Sequence, residues 1–208
     1  ILPILLVLVL VIVLPFLFIG NDPDVDGYPV GNVNSDTAAV SGEGWFFGQC
    51  FQPSDTIILE KASIAAKNPN VQGGTWSIRV YSVTGTYGTS CVPNLLLATS
   101  ATFTGSAIGS SYTLIEAAFS GNERIDLTVS TSYAVALRHD TCSPIPSCNS
   151  NDPTVGVDTS SPTHAGNAFT CSPLCVAFAG SDIAFVVSGT ISAILAEITY
   201  TPATDVTV

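Results

Sequence analysis

From residue 1 to residue 19 the chain is apolar without a break, and nothing after Gly20 resembles that stretch. Beyond it, apolar residues fall into short runs rich in Val, Ile, Thr, Phe and Tyr, bounded by Gly, Pro, Asn and Ser. Such runs predict strands. They cover 45–52, 56–66, 75–83, 95–103, 112–119, 125–129, 133–138 and 183–188, and a last run at 191–200 follows Gly189. Two of them alternate well. In WSIRVYSV, Trp76, Ile78, Val80 and Ser82 oppose Ser77, Arg79, Tyr81 and Val83. In YAVALR, Tyr133, Val135 and Leu137 oppose Ala134, Ala136 and Arg138. Half-buried antiparallel strands produce this period of two. No fixed-period repeat appears. Many strands joined by loops predict a sandwich or jelly roll.

The opening stretch has the length of a membrane span. As a helix it reaches roughly 28 Å, against about 30 Å of bilayer hydrocarbon. Four readings compete: an uncut secretory signal, a permanent membrane anchor, a strand donated to a neighbouring subunit, and a helix in the core of a filament. A signal needs a basic region before it and a small-residue cleavage site after it, and no Ala-x-Ala precedes Asn21. A donated strand suits the alternation of Leu and Val from Leu6 to Val11. Pro3 fits a first helical turn, where its missing N–H breaks no bond. Pro15 should kink the helix, which an apolar bundle tolerates better than a donated strand does. The chain contains no Met, so it is expected to have been processed or trimmed at its start.

The start ILPILL resembles that of mature archaeal type IV pilins, with Pro3 kept and Leu2 where Ser is common. Leu5 stands where bacterial pilins carry a glutamate. The resemblance implies an α-helix over 1–20 that sits in the membrane before assembly and then packs against its own copies. Its assembly residues would be Ile1, Leu2, Ile4, Leu5, Leu6, Leu8, Val9, Ile12, Val13 and Phe16. The expected architecture is mainly β: this helix, an acidic hinge over 21–44, and an antiparallel, jelly-roll-like β-sandwich over 45–208.

Charge narrows the partners. Charged residues make up 10% of the chain and the formal net charge is −11. Nucleic acid needs a basic face, and an anionic membrane surface would repel this chain. No Asn-x-Ser/Thr sequon occurs, so ordinary N-glycosylation is not expected. The six cysteines are Cys50, Cys91, Cys142, Cys148, Cys171 and Cys175, an even set that reads as disulfides of an oxidising compartment. CSPIPSC and CSPLC can each close on themselves, giving Cys142–Cys148 and Cys171–Cys175 as local pairs and Cys50–Cys91 as a long-range staple. The rival is a zinc site built from Cys142, Cys148, His139 and His164, although zinc favours shorter Cys spacing.

The succession GQCFQPSDTIILEKASI, GGTWSIRVYSV, PNLLLATS, RIDLTVSTSYAVALR, VGVD, AGNAFT, SDIAFVVSG resembles a family of extracellular jelly-roll modules, described as choice-of-anchor or lectin-like. It spans about 48–189. The resemblance implies adhesion or display at a cell surface, with a glycan or a protein as receptor. Late aromatics that would stack on a sugar are reduced to Phe169 and Phe178.

Candidate chemistry is sparse. A hydrolytic triad needs a histidine base beside a nucleophile and an orienting acid, and His139 and His164 are the only histidines. Neither Gly-x-Ser-x-Gly nor His-Glu-x-x-His occurs. Glu60, Glu116 and Asp126 form no recognisable glycosidase pair. The chain is expected not to be an enzyme and to require no cofactor. Asp22, Asp24 and Asp26 before Gly27 match the start of an Asp-x-Asp-x-Asp-Gly calcium loop. Val33 stands where the bidentate Glu would close that loop, with Asn34 and Asp36 nearby. A weak calcium site and a solvated acidic hinge both remain open. The expected protein is an extracellular filament subunit. Its alternative is a membrane-anchored binding module that stays single.

Overall fold

A computed structural model describes residues 23–37, 44–68, 74–141 and 153–192. The expected N-terminal helix with its assembly residues, Asp22, the expected Cys142–Cys148 pair and the final run beyond Ser192 lie outside them.

Two antiparallel sheets pack into a sandwich. Strands are numbered in chain order. The first sheet runs β1 (Asp24–Tyr28), β15 (Phe185–Ile191), β4 (Ile57–Lys67), β11 (Thr154–Asp158) and β14 (Asp182–Ile183). Short β2 (Ser35–Asp36) pairs with β11, while β8 (Thr113–Ala118) and β9 (Asp126–Leu127) pair with β4. The second sheet runs β13 (Leu174–Phe178), β12 (Ala168–Ser172), β3 (Phe46–Phe51), β10 (Tyr133–Thr141), β5 (Thr75–Thr84) and β6 (Val92–Thr99), with β7 (Phe103–Thr104) on β5.

The alternation in the sequence becomes two cores. Val80 lies opposite Val135 and Ile78 opposite Leu137 across the β5–β10 ladder. Together with Trp76 and Tyr133 they face the first sheet and join its Ile57, Leu59, Ile64 and Phe185 in the main core. The other face of the same strands is also covered. Ala134, Ala136 and Tyr81 pack there with Cys50, Cys91, Phe169 and Cys171 in a second, smaller cluster. Small side chains on β10 let that layer lie close. Gly48 on β3 serves the same end: an added Cβ would fall 2.0 Å from the Val135 carbonyl oxygen and 2.6 Å from Phe169 Cζ.

Several boundaries differ from the expected ones. The sandwich begins at Asp24, inside the stretch expected as a hinge. The register slips between Asp24 and Asp26. Val25 and Tyr28, three apart, are both buried as a result, so no period of two is visible there. The run at 95–103 divides into β6 and β7, and the run at 183–188 into β14 and β15. Strands β2, β11, β12 and β13 had no strand prediction. Their residues VGVD and AFTCSPLCVAF are rich in Gly, Ala, Cys and Ser, which weaken a β signal.

Two disulfides are formed among the described residues, Cys50–Cys91 and Cys171–Cys175. Both are pairs the sequence suggested, and the second also lies within a ladder. Cys171 and Cys175 are direct cross-strand partners in the β12–β13 hairpin. Pro173 makes its tip, where no ladder N–H is needed.

Candidate functional site

The richest polar cluster gathers on the segment 159–167, TSSPTHAGN, which links β11 to β12. Asp158, the last residue of β11, anchors its start. Tyr28 Oη donates to Asp158 Oδ2 at 2.6 Å, and the Ser160 and Ser161 N–H groups donate to Oδ1 at 2.9 and 3.2 Å. Asn34 Nδ2 donates to Oδ1 as well. These donors, Tyr28 first, hold the Asp158 carboxyl far below the usual carboxylate range. Burial, and then the neighbouring Asp158, push the Tyr28 phenol up.

Asn167 anchors the other end of the segment. Its side chain donates to the Cys91 carbonyl at 2.9 Å and accepts the Cys91 N–H at 3.2 Å. Its own carbonyl accepts the Cys50 N–H at 3.0 Å. Both halves of the Cys50–Cys91 bridge are thereby tied to one asparagine.

Between these anchors lies His164. The Gly166 N–H donates to its Nδ1 at 3.0 Å, and Gln49 Nε2 stands 3.1 Å from the same atom. Two donors on Nδ1 place the ring proton on Nε2, which donates to Asp26 Oδ1 at 3.1 Å. Gln49, wholly buried on β3, also donates to Asp182 Oδ1 at 3.0 Å and accepts the Ile183 N–H at 2.9 Å. Asp182 Oδ2 accepts the His164 N–H at 2.8 Å. Burial raises the Asp182 carboxyl, with those two donors pulling against it. The imidazole edge rests on Phe185, ring centroids 5.1 Å apart at 90°.

A cleft of about 480 Å³ opens beside this network, lined among others by Asp26, Tyr28, Asn32, Gln52, Tyr87 and His164. Burial, and then the carboxylates of Asp26 and Asp182, push the Tyr87 phenol up to about 12. Tyr87 is thus a hydrogen-bond donor at every ordinary pH. The cleft offers acceptors and hydroxyls suited to a polyhydroxylated or amide-bearing ligand. Both ring nitrogens of His164 are engaged within the network. An apolar groove of about 380 Å³ lies elsewhere, between the sheets, with Trp45, Phe47, Phe178 and Ile183 among its walls.

The residues singled out in the sequence land in different places. Asp24 is exposed at the start of β1. Asp26 accepts the Gln52 N–H at 3.0 Å and the Gly27 N–H at 2.8 Å besides His164, so its oxygens are already occupied. The acidic pair thus belongs to a strand in place of a loop. No group of three or more His, Cys, Asp or Glu suited to a metal occurs among the described residues. His139 is nowhere in the cleft: it stacks on Trp76 at 4.0 Å and 6°, with Nε2 3.0 Å from the Thr141 carbonyl oxygen. Glu60 pairs with Arg124, and Glu116 with Lys61 at 3.5 Å.

Sequence reasoning passed over Gln49, Asp158, Asn167 and Asp182, and named Asn34 only as a neighbour of the acidic stretch. The available signal was a polar residue embedded in an apolar strand, as in FFGQCF and SDIAFVV. Buried polar groups of that kind need partners, and here they are partners for one another.

The acid limb of stability reports on this wiring. The folded pKa of Asp158, and that of Asp36 beside Lys67 and Tyr112, lie below the unfolded value of about 3.9. Their contribution is complete above about pH 4 and is lost as pH falls. Asp182 works in the opposite sense. Its raised folded pKa favours the folded state at low pH, and that gain is lost as pH rises through it. Urea midpoints should rise slightly on acidification from neutral pH, then fall below about pH 4. Asp158→Asn should flatten the fall. An acid limb as steep in the variant as in the parent would show that Asp158 does not carry it.

No family model matches the chain, and no curated protein matches it.

Proposed function

We propose that the chain is the subunit of an extracellular, type IV pilus-like filament, with residues 1–20 as the polymerising helix and the jelly-roll-like sandwich displayed for adhesion or surface contact. The observation that carries this is the uncharged apolar stretch 1–19, set a few residues before the first strand of a disulfide-bonded sandwich. Burying an aliphatic side chain is worth about 1.5–3 kcal/mol, so such a stretch requires apolar company. Disulfides fit an oxidising, extracellular setting. The geometry at the junction fits as well. Pro23 O accepts the Gly189 N–H at 3.4 Å, so the chain enters beside the outgoing end of β15.

Negative-stain images of cell-surface material should show filaments. Val9→Asp should abolish them and leave the sandwich folded, because a carboxylate in a dry helical core has no partner. Removing residues 1–19 should leave a soluble, folded domain. Filaments that assemble normally from Val9→Asp, or single copies held in membranes, would overturn the reading. The second reading, a membrane-anchored module that binds a glycan or protein ligand, draws support from the polar cleft at His164. It requires no polymer.

A further inference from the structure

Among the described residues, β6 and β13 are the two edge strands of the second sheet. The sheet curls until these edges approach each other. Val92 of β6 and Cys175 of β13 pack on the same small cluster. Around that meeting point the surface is apolar. Leu95, Leu96 and Leu97 on β6 are 64%, 49% and 37% exposed, and Leu174, Val176 and Phe178 on β13 are 80%, 52% and 42% exposed. Natural edge strands are guarded by charges, Pro or bulges. Strand β6 has Pro93, two register shifts and the Glu123 carboxylate on its Thr99 N–H, yet its leucines stay exposed. Neither strand carries a charged residue.

The absence of charge extends well beyond the strands. No Asp, Glu, Lys or Arg occurs from Val80 to Ile115 or from Thr159 to Ser181 in a chain of net charge −11. A net charge of −11 makes copies of the chain repel one another, and that repulsion is least where uncharged segments meet. The six side chains expose about three side chains' worth of surface, on the order of 200–400 Å². That is comparable to the largest patches on soluble monomers, which are often functional. It is a fair share of the ~800 Å² each partner contributes to a standard interface.

We propose that the β6–β13 face docks the same face of a second copy of this chain. The contact is isologous and self-complementary. Leu95–Leu97 of one copy cover Leu174 and Val176 of the other, and these exposed apolar side chains leave water. This contact makes no use of residues 1–19, so it stands or falls independently of the filament reading.

A photo-cross-linking benzophenone amino acid placed at Leu95 of the full chain, expressed on cells, tests the proposal. Irradiation should give a product of twice the chain mass, with the cross-link mapped to 92–99 or 174–178 of the second copy. Leu174→Glu, at an exposed position that folding does not need, should cut the yield by about tenfold or more, because it buries unpaired charge. The probe at Leu114, equally apolar but on β8 of the other sheet, should give no such product. The proposal is overturned by monomer alone at Leu95, by adducts to lipid, glycan or an unrelated protein, or by a yield that Leu174→Glu leaves unchanged. Electron microscopy of the same cells reports separately on filaments, so failure of one reading is not mistaken for failure of the other.

Discussion

Replacing Cys50 and Cys91 together by alanine should destabilise the sandwich by about 4 kcal/mol. The bridge joins residues 41 apart in sequence. Chain-entropy arithmetic for a loop of that length gives about 4 kcal/mol at 25 °C. Each kcal/mol moves the melting temperature of a domain this size by about 2–4 °C, so a fall of roughly 8–16 °C is expected. Both cysteines are wholly buried, and both are hydrogen-bonded through their backbones to Asn167. Loss of the bridge therefore loosens the 159–167 segment and the polar network with it. The Cys171–Cys175 bridge offers a contrast. It spans 4 residues and joins strands already in register, so its removal should cost about 2 kcal/mol or less. Thermal unfolding of the two double variants, measured without reductant, gives the comparison. Equal losses would mean that loop entropy is not what the long bridge supplies.

That long bridge was legible in the sequence, as the pair left over once the two short loops were closed. So were the strands whose one face meets the main core: β5 and β10 alternate because Trp76, Ile78, Val80, Tyr133, Val135 and Leu137 point one way. What escaped had physical reasons. A bulge in β1 destroyed the period at Val25 and Tyr28. Strand β12 is buried on both sides between small residues, so AFTCS shows no alternation of polarity. The candidate site was the least legible part. His164 was visible as a histidine in a loop, but its partners Asp26, Gln49 and Asp182 come from distant strands. Of the motif read in Asp22, Asp24 and Asp26, Asp22 lies outside the described residues and Asp26 joins the His164 network. Asp26 serves as an acceptor for His164 and two backbone N–H groups. Its spacing from Asp24 is set by a strand with a bulge.

Gln49→Leu should cost roughly 3–5 kcal/mol, with a further signature in pH. Leucine fills about the same volume, so little cavity term enters. The loss is polar. Gln49 Oε1 is the acceptor for the buried Ile183 N–H, and Gln49 Nε2 donates to the buried Asp182 carboxylate. A stranded buried N–H costs about 1–3 kcal/mol and a charge left without its donor costs more. Asp182 keeps only the His164 N–H, and its carboxyl is already raised by burial. Without Gln49 it should rise further. The variant should then be hurt more at pH 7 than at pH 4, since lower pH favours the protonated carboxyl that needs no such donor. Asp182→Asn in the same background should restore part of the loss at pH 7, since a neutral amide no longer demands the missing donor. The two substitutions should be non-additive by about 1–3 kcal/mol, as expected for groups sharing one hydrogen-bond network. Urea unfolding of the single and double variants at both pH values measures each term. A loss below about 1 kcal/mol, or strict additivity, would mean that Gln49 and Asp182 are neighbours without being coupled. The network around His164 would then be a set of separate contacts in place of a single clamp between β1, β3 and β14.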